Sequence, residues 1–275
     1  MTTRLDSRFA SLKREGRAGL VAYVMASDPD HETCFEILRG LPRAGADVIE
    51  LGFPFSDPMA DGPSIQKAAL RALKAGGSLR QTLELARRFR ETDKDTQLML
   101  MGYANPIETM GYDAFAQAMH ASGADGAIIV DLPPEEDAPL RAAFDERGLS
   151  IIRLATPTTD DNRLTKVLAG ASGFLYYVSV AGVTGANAAT PADVRTAIER
   201  LRRATDLPVA VGFGVREPEA ARAIALTADA VVVGSAFVDE IAAGPALQAA
   251  DRVLRKVAQL SEAVRSAREL EGTPA

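Results

Sequence analysis

The sequence predicts a closed (β/α)8 TIM barrel, in which eight parallel strands are each followed by a helix. Short β-rich runs alternate with amphipathic stretches of helical period along the whole chain. Several of these runs are almost entirely apolar, which is typical of parallel strands that are covered on both faces. The 275 residues contain no linker or break in composition, and this length is common for such a barrel. We therefore expect a single domain over residues 1–275 and not an open doubly wound sheet.

The predicted elements follow one another in a regular order. Ser78, Asp160 and Thr190 stand where N-caps belong, and Pro191 occupies a first-turn position that tolerates proline. An extra N-terminal helix at about 5–15 is expected to cover the bottom of the barrel. The predicted strands cover residues 19–25, 47–53, 97–103, 126–132, 150–155, 173–180, 208–213 and 230–233, and the predicted helices cover 32–44, 78–91, 112–122, 135–147, 160–169, 191–204 and 217–226, with a C-terminal helix at about 246–268.

Composition and charge limit the classes of partner and compartment. The net charge of −6, from 31 basic and 37 acidic residues without long like-charge runs, argues against nucleic acids and anionic membranes as main partners. The single Cys34 cannot form an intrachain disulfide, and the N-terminus lacks the apolar core of a signal peptide. No apolar stretch approaches the roughly 20 residues needed to span a bilayer. We expect a cytoplasmic protein.

Glu50 is a carboxylate inside an apolar strand. Val48, Ile49 and Leu51 surround it, and moving an ionised carboxylate out of water costs several kcal/mol. Because successive side chains of a strand point to opposite faces, Glu50 points into the barrel if helices cover Ile49. The alternative is a structural ion pair with an inward-pointing Arg153.

Asp61 lies in the loop that follows the same strand, at the end of the barrel where TIM-barrel chemistry gathers. Desolvation inside the barrel mouth raises the pKa of a carboxyl group such as Glu50, which can then donate or accept a proton near neutral pH. A loop carboxyl stays ionised and can stabilise positive charge. The two environments therefore predict two roles. The alternative for Asp61 is an ordinary Asp-Gly turn.

Glycines at the ends of the last two strands predict a phosphate site. Such sites in TIM barrels commonly use the loops after strands seven and eight and the N-terminus of a short extra helix. Gly212, Gly214, Gly234 and Ser235 fit this arrangement, because glycines let backbone N–H groups approach phosphate oxygens. No Lys or Arg is required in it. The alternative is that these glycines only form turns.

Metal and nucleotide sites find little support. One Cys and two distant His do not have the usual spacing of a zinc site, and few acids lie at strand ends. The chain has no P-loop sequence, and Gly212 and Gly214 do not form a dinucleotide fingerprint, which needs a third glycine in register. We expect no bound cofactor in this chain.

Four runs occur in order along the chain. The most specific is Ile-Glu-Leu-Gly-Phe-Pro-Phe-Ser-Asp-Pro-Met-Ala-Asp-Gly-Pro at 49–63, and the others are Ala-Gly-Val-Thr-Gly at 181–185, Val-Gly-Phe-Gly at 211–214 and Val-Gly-Ser at 233–235. With these runs the sequence resembles the tryptophan synthase α subunit family. Ser27 departs from the family, whose members usually carry Gly there. The resemblance implies a lyase of tryptophan biosynthesis that cleaves indole-3-glycerol phosphate to indole and glyceraldehyde 3-phosphate without metal or organic cofactor.

The resemblance also implies roles for individual residues. Glu50 would be the proton shuttle, Asp61 would hold the indole N–H, and Tyr176 would line the site near the glycerol as a third catalytic residue. Thr184 would meet the Asp61 loop when the site closes over substrate. The substrate-binding candidates are Gly185, Phe213, Gly214, Gly234 and Ser235 at the phosphate, with Tyr23, Ile65, Met101 and Val130 as apolar walls for the indole ring.

A partner follows from the same resemblance. A pyridoxal-phosphate (PLP) β subunit would condense the released indole with serine in an αββα heterotetramer, docking on the loop 54–63 and on segments around Asn105 and Pro133. Two alternatives remain open at this point. The chain could be a stand-alone indole-3-glycerol-phosphate lyase, or a non-catalytic barrel that activates a partner.

Overall fold

A single curved sheet of parallel strands forms the centre of the protein. The computed structural model describes residues 3–179, 190–212 and 214–269. All strand pairs are parallel, and the order of the strands in the sheet is β5-β4-β3-β2-β1-β9-β8-β7-β6. The strands are β1 Gly19–Met25, β2 Val48–Gly52, β3 Gln97–Gly102, β4 Gly126–Ile129, β5 Ser150–Ile151, β6 Arg153–Ala155, β7 Leu175–Val178, β8 Val209–Gly212 and β9 Ala230–Val233.

The two outer strands of this order are the halves of one predicted strand, 150–155. The prediction of one continuous strand is wrong in this detail, because the run changes its partner at Ile152. Residues of β5 pair with β4, whereas Arg153 to Ala155 pair with β7. Ile152 is buried between them, and its N–H donates to the Ala127 carbonyl at 3.0 Å. The sheet therefore curves round on itself, and the predicted barrel is confirmed.

Helices surround this sheet, as the alternating pattern predicted. The expected caps are confirmed: Ser78, Asp160 and Thr190 each accept a backbone N–H in the first turn of the following helix. Two helices that the sequence analysis did not single out follow β2 and β3. The described residues form α1 Arg4–Arg14, α2 His31–Ala44, α3 Pro63–Lys74, α4 Leu79–Thr92, α5 Ala104–Met110, α6 Tyr112–Ser122, α7 Ala138–Asp145, α8 Asp161–Leu168, α9 Pro191–Ala204, α10 Pro218–Ala225, α11 Ser235–Ala242 and α12 Ala249–Arg265, with a 3-10 turn at Ala246–Gln248.

Helix α1 closes the bottom of the barrel. A capping box between Thr3 and Asp6 begins it. Its apolar face, with Leu5 and Phe9 buried, packs into the cluster of side chains that fills the barrel interior. The Phe9 ring lies 5.6 Å from the Phe174 ring, centroid to centroid. The expected N-terminal lid is confirmed, and the opposite end of the barrel is left for the site.

Strand β2 presents its side chains alternately to the helices and to the barrel interior. Ile49 and Leu51 belong to the apolar layer between sheet and helices, whereas Val48 belongs to the interior cluster. Glu50 shares the face of Val48, because side chains two residues apart point the same way. The expected condition is met: helices cover Ile49, and Glu50 points inward.

Ser27 lies in the loop after β1 and has a left-handed backbone conformation. Its φ is 67°, a conformation that costs a residue with a Cβ about 1–2 kcal/mol and costs glycine little. The buried Ser27 hydroxyl shares a hydrogen bond of 2.9 Å with the His31 Nδ1 atom. This bond offsets part of the conformational cost and explains how Ser is accommodated at this position.

Candidate active site

A cavity of about 270 Å³ opens at the carboxyl ends of the strands, where the sequence predicts the site. It brings together Glu50 and Asp61 with most of the predicted substrate-binding residues. The predicted residues that line it are Tyr23, Glu50, Asp61, Ile65, Met101, Tyr176, Gly214, Gly234 and Ser235. Six further residues line it that the sequence analysis did not propose as site residues, namely Gly62, Pro63, Ser64, Val215, Arg216 and Val232.

The Glu50 side chain is a buried carboxyl, and none of the described residues forms an ion pair with it. The residue is 1% exposed, and its Oε1 atom has no hydrogen-bond partner among the described residues. Burial raises the pKa of Glu50 from 4.5 to about 8. The alternative of an ion pair with Arg153 is wrong. Ile152 faces the barrel interior, so Arg153, the next residue, points outward and pairs with Asp137. Glu50 therefore holds a proton at neutral pH.

The raised pKa of Glu50 predicts that Glu50→Gln stabilises the ligand-free protein at neutral pH. Between pH 4.5 and about 8 the unfolded chain binds fewer protons than the folded one, so the free energy of unfolding falls as pH rises. Glutamine cannot ionise and removes this loss, on the order of 3 kcal/mol at pH 7. Urea denaturation of the wild-type protein and of Glu50→Gln between pH 5 and pH 8 measures the difference between their free energies of unfolding. A stability difference that does not grow with pH would contradict the raised pKa.

Asp61 lies at the cavity mouth in a half-buried position. Burial raises its pKa from 3.8 to about 6, and the Tyr103 hydroxyl partly offsets this by hydrogen bonding to the carboxylate. The sequence predicted that this loop carboxyl stays ionised, but it gave no sign that the loop folds over the cavity and partly buries the carboxyl. Asp61 is still ionised in most molecules at pH 7, and its pKa stays below that of Glu50.

Tyr103 at the end of β3 fixes the Asp61 loop and was not predicted as a site residue. Its hydroxyl accepts a hydrogen bond from the Ala60 N–H at 3.0 Å, and its ring lies 5.5 Å from that of Phe55, centroid to centroid. Burial, followed by the charge of Asp61, raises the pKa of Tyr103, which therefore stays protonated and can donate to Asp61. One side chain thus contacts the loop at three points.

Two tyrosines extend the polar surface of the cavity. Tyr23 pairs in register with Glu50, so the two side chains are inward-pointing neighbours on adjacent strands. Tyr176 points inward from β7, and burial raises its pKa, with smaller effects from the charges of Glu50 and Asp61. Both phenols therefore stay neutral hydrogen-bond donors at neutral pH.

Two glycines provide the space for these tyrosines. A Cβ on Gly52 would lie 2.3 Å from the Tyr23 hydroxyl, and a Cβ on Gly212 would lie 2.8 Å from the Tyr176 hydroxyl. Neither distance is compatible with a side chain at those positions. The strand-end glycines Gly52 and Gly212 therefore shape the polar part of the cavity.

The backbone wall of the cavity consists of Gly214, Gly234 and Ser235. Gly214 has a φ of 79°, which favours glycine, and Gly234 precedes the first turn of α11. The N-terminus of α11 begins at Ser235, where free N–H groups and the helix dipole favour an anion. Arg216 also lines the cavity.

The remaining predicted site residues are not all in the cavity. Val130 lines a small adjoining pocket with Tyr103 and Phe55. Thr184, Gly185 and Phe213 lie outside the residues that the structure describes.

Two further properties concern metals and membranes. Within residues 3–179, 190–212 and 214–269, no group of three His, Cys, Asp or Glu side chains could hold a metal ion. None of the helices in these segments combines the length and apolar character that crossing a bilayer requires.

Comparison with known proteins gives matches along nearly the whole chain. A protein-family model described as "Tryptophan synthase alpha chain" matches residues 9–269. A tryptophan synthase alpha chain from Caulobacter sp. (strain K31) is 58% identical over 267 residues, which cover 96% of this chain and 97% of that one. The crystal structure of tryptophan synthase subunit alpha from Legionella pneumophila str. Paris has a TM-score of 0.87 at 39% identity and covers 96% of this chain and 99% of that one. Tryptophan synthase from M. tuberculosis gives a TM-score of 0.87 at 32% identity, over 96% and 100% of the two chains.

Proposed function

This chain belongs to the tryptophan synthase alpha chain family, and we propose which of its residues perform the lyase reaction of that family. The reaction cleaves indole-3-glycerol phosphate to indole and glyceraldehyde 3-phosphate. The bond between indole C3 and the glycerol carbon breaks, C3 gains a proton and the adjacent hydroxyl loses one. The observation that carries the proposal is the buried Glu50 carboxyl, which has no ion-pair partner among the described residues and lines the same cavity as Asp61.

Glu50 is the proton shuttle in this proposal. Its carboxyl has a pKa of about 8 and carries the proton that indole C3 needs. Protonation of C3 produces an indoleninium cation, and the resulting Glu50 carboxylate then takes the hydroxyl proton as the carbon-carbon bond breaks. The proton count is restored at the end of the cycle, so one residue serves first as acid and then as base.

Asp61 stabilises the cation. Its ionised carboxylate accepts a hydrogen bond from the indole N–H, which acquires positive charge when C3 is protonated. The Tyr103 hydroxyl and the Ala60 N–H hold the loop in place before substrate arrives. Preorganised charge of this kind costs little reorganisation during the reaction, because the partner is already oriented.

Tyr176 and the apolar wall position the substrate. The neutral Tyr176 phenol can donate a hydrogen bond to a glycerol oxygen from its place near Glu50 and Asp61. Tyr23, Ile65, Met101 and Val130 would contact the indole ring. Thr184 would meet the Asp61 loop when the site closes, a role that comes from the family resemblance. Closure excludes water from the cationic intermediate.

The phosphate group binds, in this proposal, at the backbone wall of Gly185, Phe213, Gly214, Gly234 and Ser235. The α11 N-terminus and the open space beside Gly214 support the described part of this assignment.

A charge placed in this wall tests the phosphate assignment. We expect Gly234→Asp to raise the KM for indole-3-glycerol phosphate at least tenfold more than Gly234→Asn does, because the two side chains match in size and differ in charge. A Cβ at this position meets Tyr23 at 3.4 Å, an ordinary contact, so the position tolerates a Cβ and the two variants share any further steric effect. Steady-state kinetics gives both constants. Equal KM values for the two variants would contradict the assignment of the phosphate to this wall.

The partner of this chain is the tryptophan synthase β subunit, the subunit to which PLP belongs. We propose that the α chain itself uses no cofactor and that docking involves the loop 54–63 with segments around Asn105 and Pro133. Met59 in that loop is 75% exposed, which fits a surface that a partner covers. We also propose that the chain forms a single barrel domain. A cytoplasmic location is a further part of the proposal, because a biosynthetic enzyme that acts on a phosphate ester is expected there.

Indole release tests the proposed function as a whole. The full chain is mixed with indole-3-glycerol phosphate, with and without a β subunit, and free indole is measured. Faster release with the β subunit favours the two-subunit enzyme, and equal rates favour a stand-alone lyase. No release under either condition would leave only a non-catalytic role and refute the proposal.

A further inference from the structure

Arg216 lies at the phosphate end of the cavity, between the end of β8 and the start of α10. It lines the same cavity as Gly214, Gly234 and Ser235. Among the described residues that line this cavity, it is the single Lys or Arg. Its side chain is 49% exposed and forms an ion pair with Asp239 on α11. A cation is therefore held beside the backbone wall, in a cavity whose two acidic lining residues are the protonated Glu50 and the ionised Asp61.

The charges of the cavity make a cation at this point useful. A phosphate dianion entering beside Asp61 meets repulsion, and backbone N–H groups with a helix dipole offer only partial positive charge. A guanidinium offers a full charge and two parallel donors that match phosphate oxygens. Arg216 can supply this charge from the rim without being buried itself.

Asp239, the ion-pair partner of Arg216, also interacts with other residues. Burial opposes ionisation of Asp239, yet hydrogen bonds from Arg216 and from Ser64 in the first turn of α3 keep its pKa below the usual value. Arg71 adds a smaller favourable charge. Asp239 therefore keeps other partners if Arg216 leaves. Because a half-exposed ion pair is weak, a phosphate dianion can compete for the guanidinium.

We propose that Arg216 is a phosphate-binding residue that exchanges its ion pair with Asp239 for the substrate phosphate. The inference rests on the proposed phosphate wall and adds a charged side chain to it. In the free protein Asp239 orients the guanidinium at the rim, and in the complex the guanidinium donates two hydrogen bonds to phosphate oxygens. Ser64 retains Asp239, so α11 and α3 stay linked while Arg216 changes partner.

The reverse condensation isolates this role, because its two substrates differ in charge. Glyceraldehyde 3-phosphate carries the phosphate, and indole carries none. In the complex of the full chain with the β subunit, without serine so that indole is not consumed, Arg216→Gln should raise the KM for glyceraldehyde 3-phosphate about tenfold or more. The KM for indole should stay within about twofold. Arg216→Lys should raise this KM less than Arg216→Gln does, because lysine keeps the positive charge but lacks the two parallel N–H donors of the guanidinium.

Arg87→Gln is the matched control. Arg87 is 51% exposed and pairs with Glu84 and Glu91 on α4, away from the cavity, and its replacement should leave both KM values unchanged. An unchanged KM for glyceraldehyde 3-phosphate in Arg216→Gln, together with a raised one in Gly234→Asp, would overturn this inference and leave the phosphate wall standing. If neither variant raises the KM for glyceraldehyde 3-phosphate, both the role of Arg216 and the proposed phosphate wall are wrong. Equal rises for both substrates indicate a structural effect and also overturn the inference.

Discussion

Glu50→Gln is expected to lower kcat for cleavage of indole-3-glycerol phosphate by about 10² to 10⁴. The variant keeps the size and the hydrogen-bonding capacity of the side chain and removes the transferable proton, and general acid-base catalysis contributes a factor of this size. The KM should change little, because the carboxyl acts on a ring carbon and not on the phosphate. Single-turnover and steady-state measurements of indole release give both constants.

Two controls separate the loss of the proton from a loss of structure. Glu50→Gln should be more stable than the wild-type protein at pH 7, so misfolding cannot explain its low rate. Glu50→Asp keeps an acid but withdraws it by one methylene, and its kcat should lie between those of the other two proteins. Near-normal turnover in Glu50→Gln would exclude Glu50 as the shuttle.

Asp61→Asn is expected to lower kcat/KM by about 10² to 10³. The amide keeps a hydrogen-bond acceptor for the indole N–H but removes the charge that stabilises the cation, and removing one preorganised electrostatic contact costs about this much. The wild-type profile should fall below about pH 6 as Asp61 gains a proton, and above about pH 8 as Glu50 loses one. Asp61→Asn should lose the acid limb and keep the alkaline limb.

Asp113→Asn serves as the control for this change. Asp113 lies in the first turn of α6, pairs with Arg147 and is largely exposed, so its replacement should leave the profile intact. An acid limb that persists near pH 6 in Asp61→Asn would assign that ionisation to another group and contradict the role of Asp61.

The barrel and the direction of Glu50 could be predicted because both depend on local periodicity. Alternation of side chains along β2 decides which residues face the helices, and the apolar Ile49 and Leu51 settle that choice without knowledge of the rest of the fold. The place of Gly214 and Gly234 in the cavity lining could also be predicted, because both glycines follow the ends of strands. In each case a short segment carries the whole signal.

Side-chain partners could not be predicted, because they depend on contacts between distant segments. Ala60 and Tyr103 are 43 residues apart, and nothing in either segment indicates that the hydroxyl receives the loop N–H. The suggested pairing of Arg153 failed for the same reason, since strand β6 begins a new pairing after Ile152 and directs Arg153 outward. The raised pKa of Asp61 results from burial where the loop folds over the cavity, and no local sequence pattern predicts that fold.

The protonation of Glu50 is the claim on which the mechanism depends most directly. Infrared difference spectra between the wild-type protein and Glu50→Gln isolate the carbonyl band of the protonated carboxyl, and its amplitude can be followed from pH 4 to pH 10. We expect a band that is present at pH 7 and disappears with a midpoint near pH 8. A midpoint near 4.5, the ordinary value for glutamate, would mean that Glu50 is ionised at neutral pH and cannot protonate the indole ring.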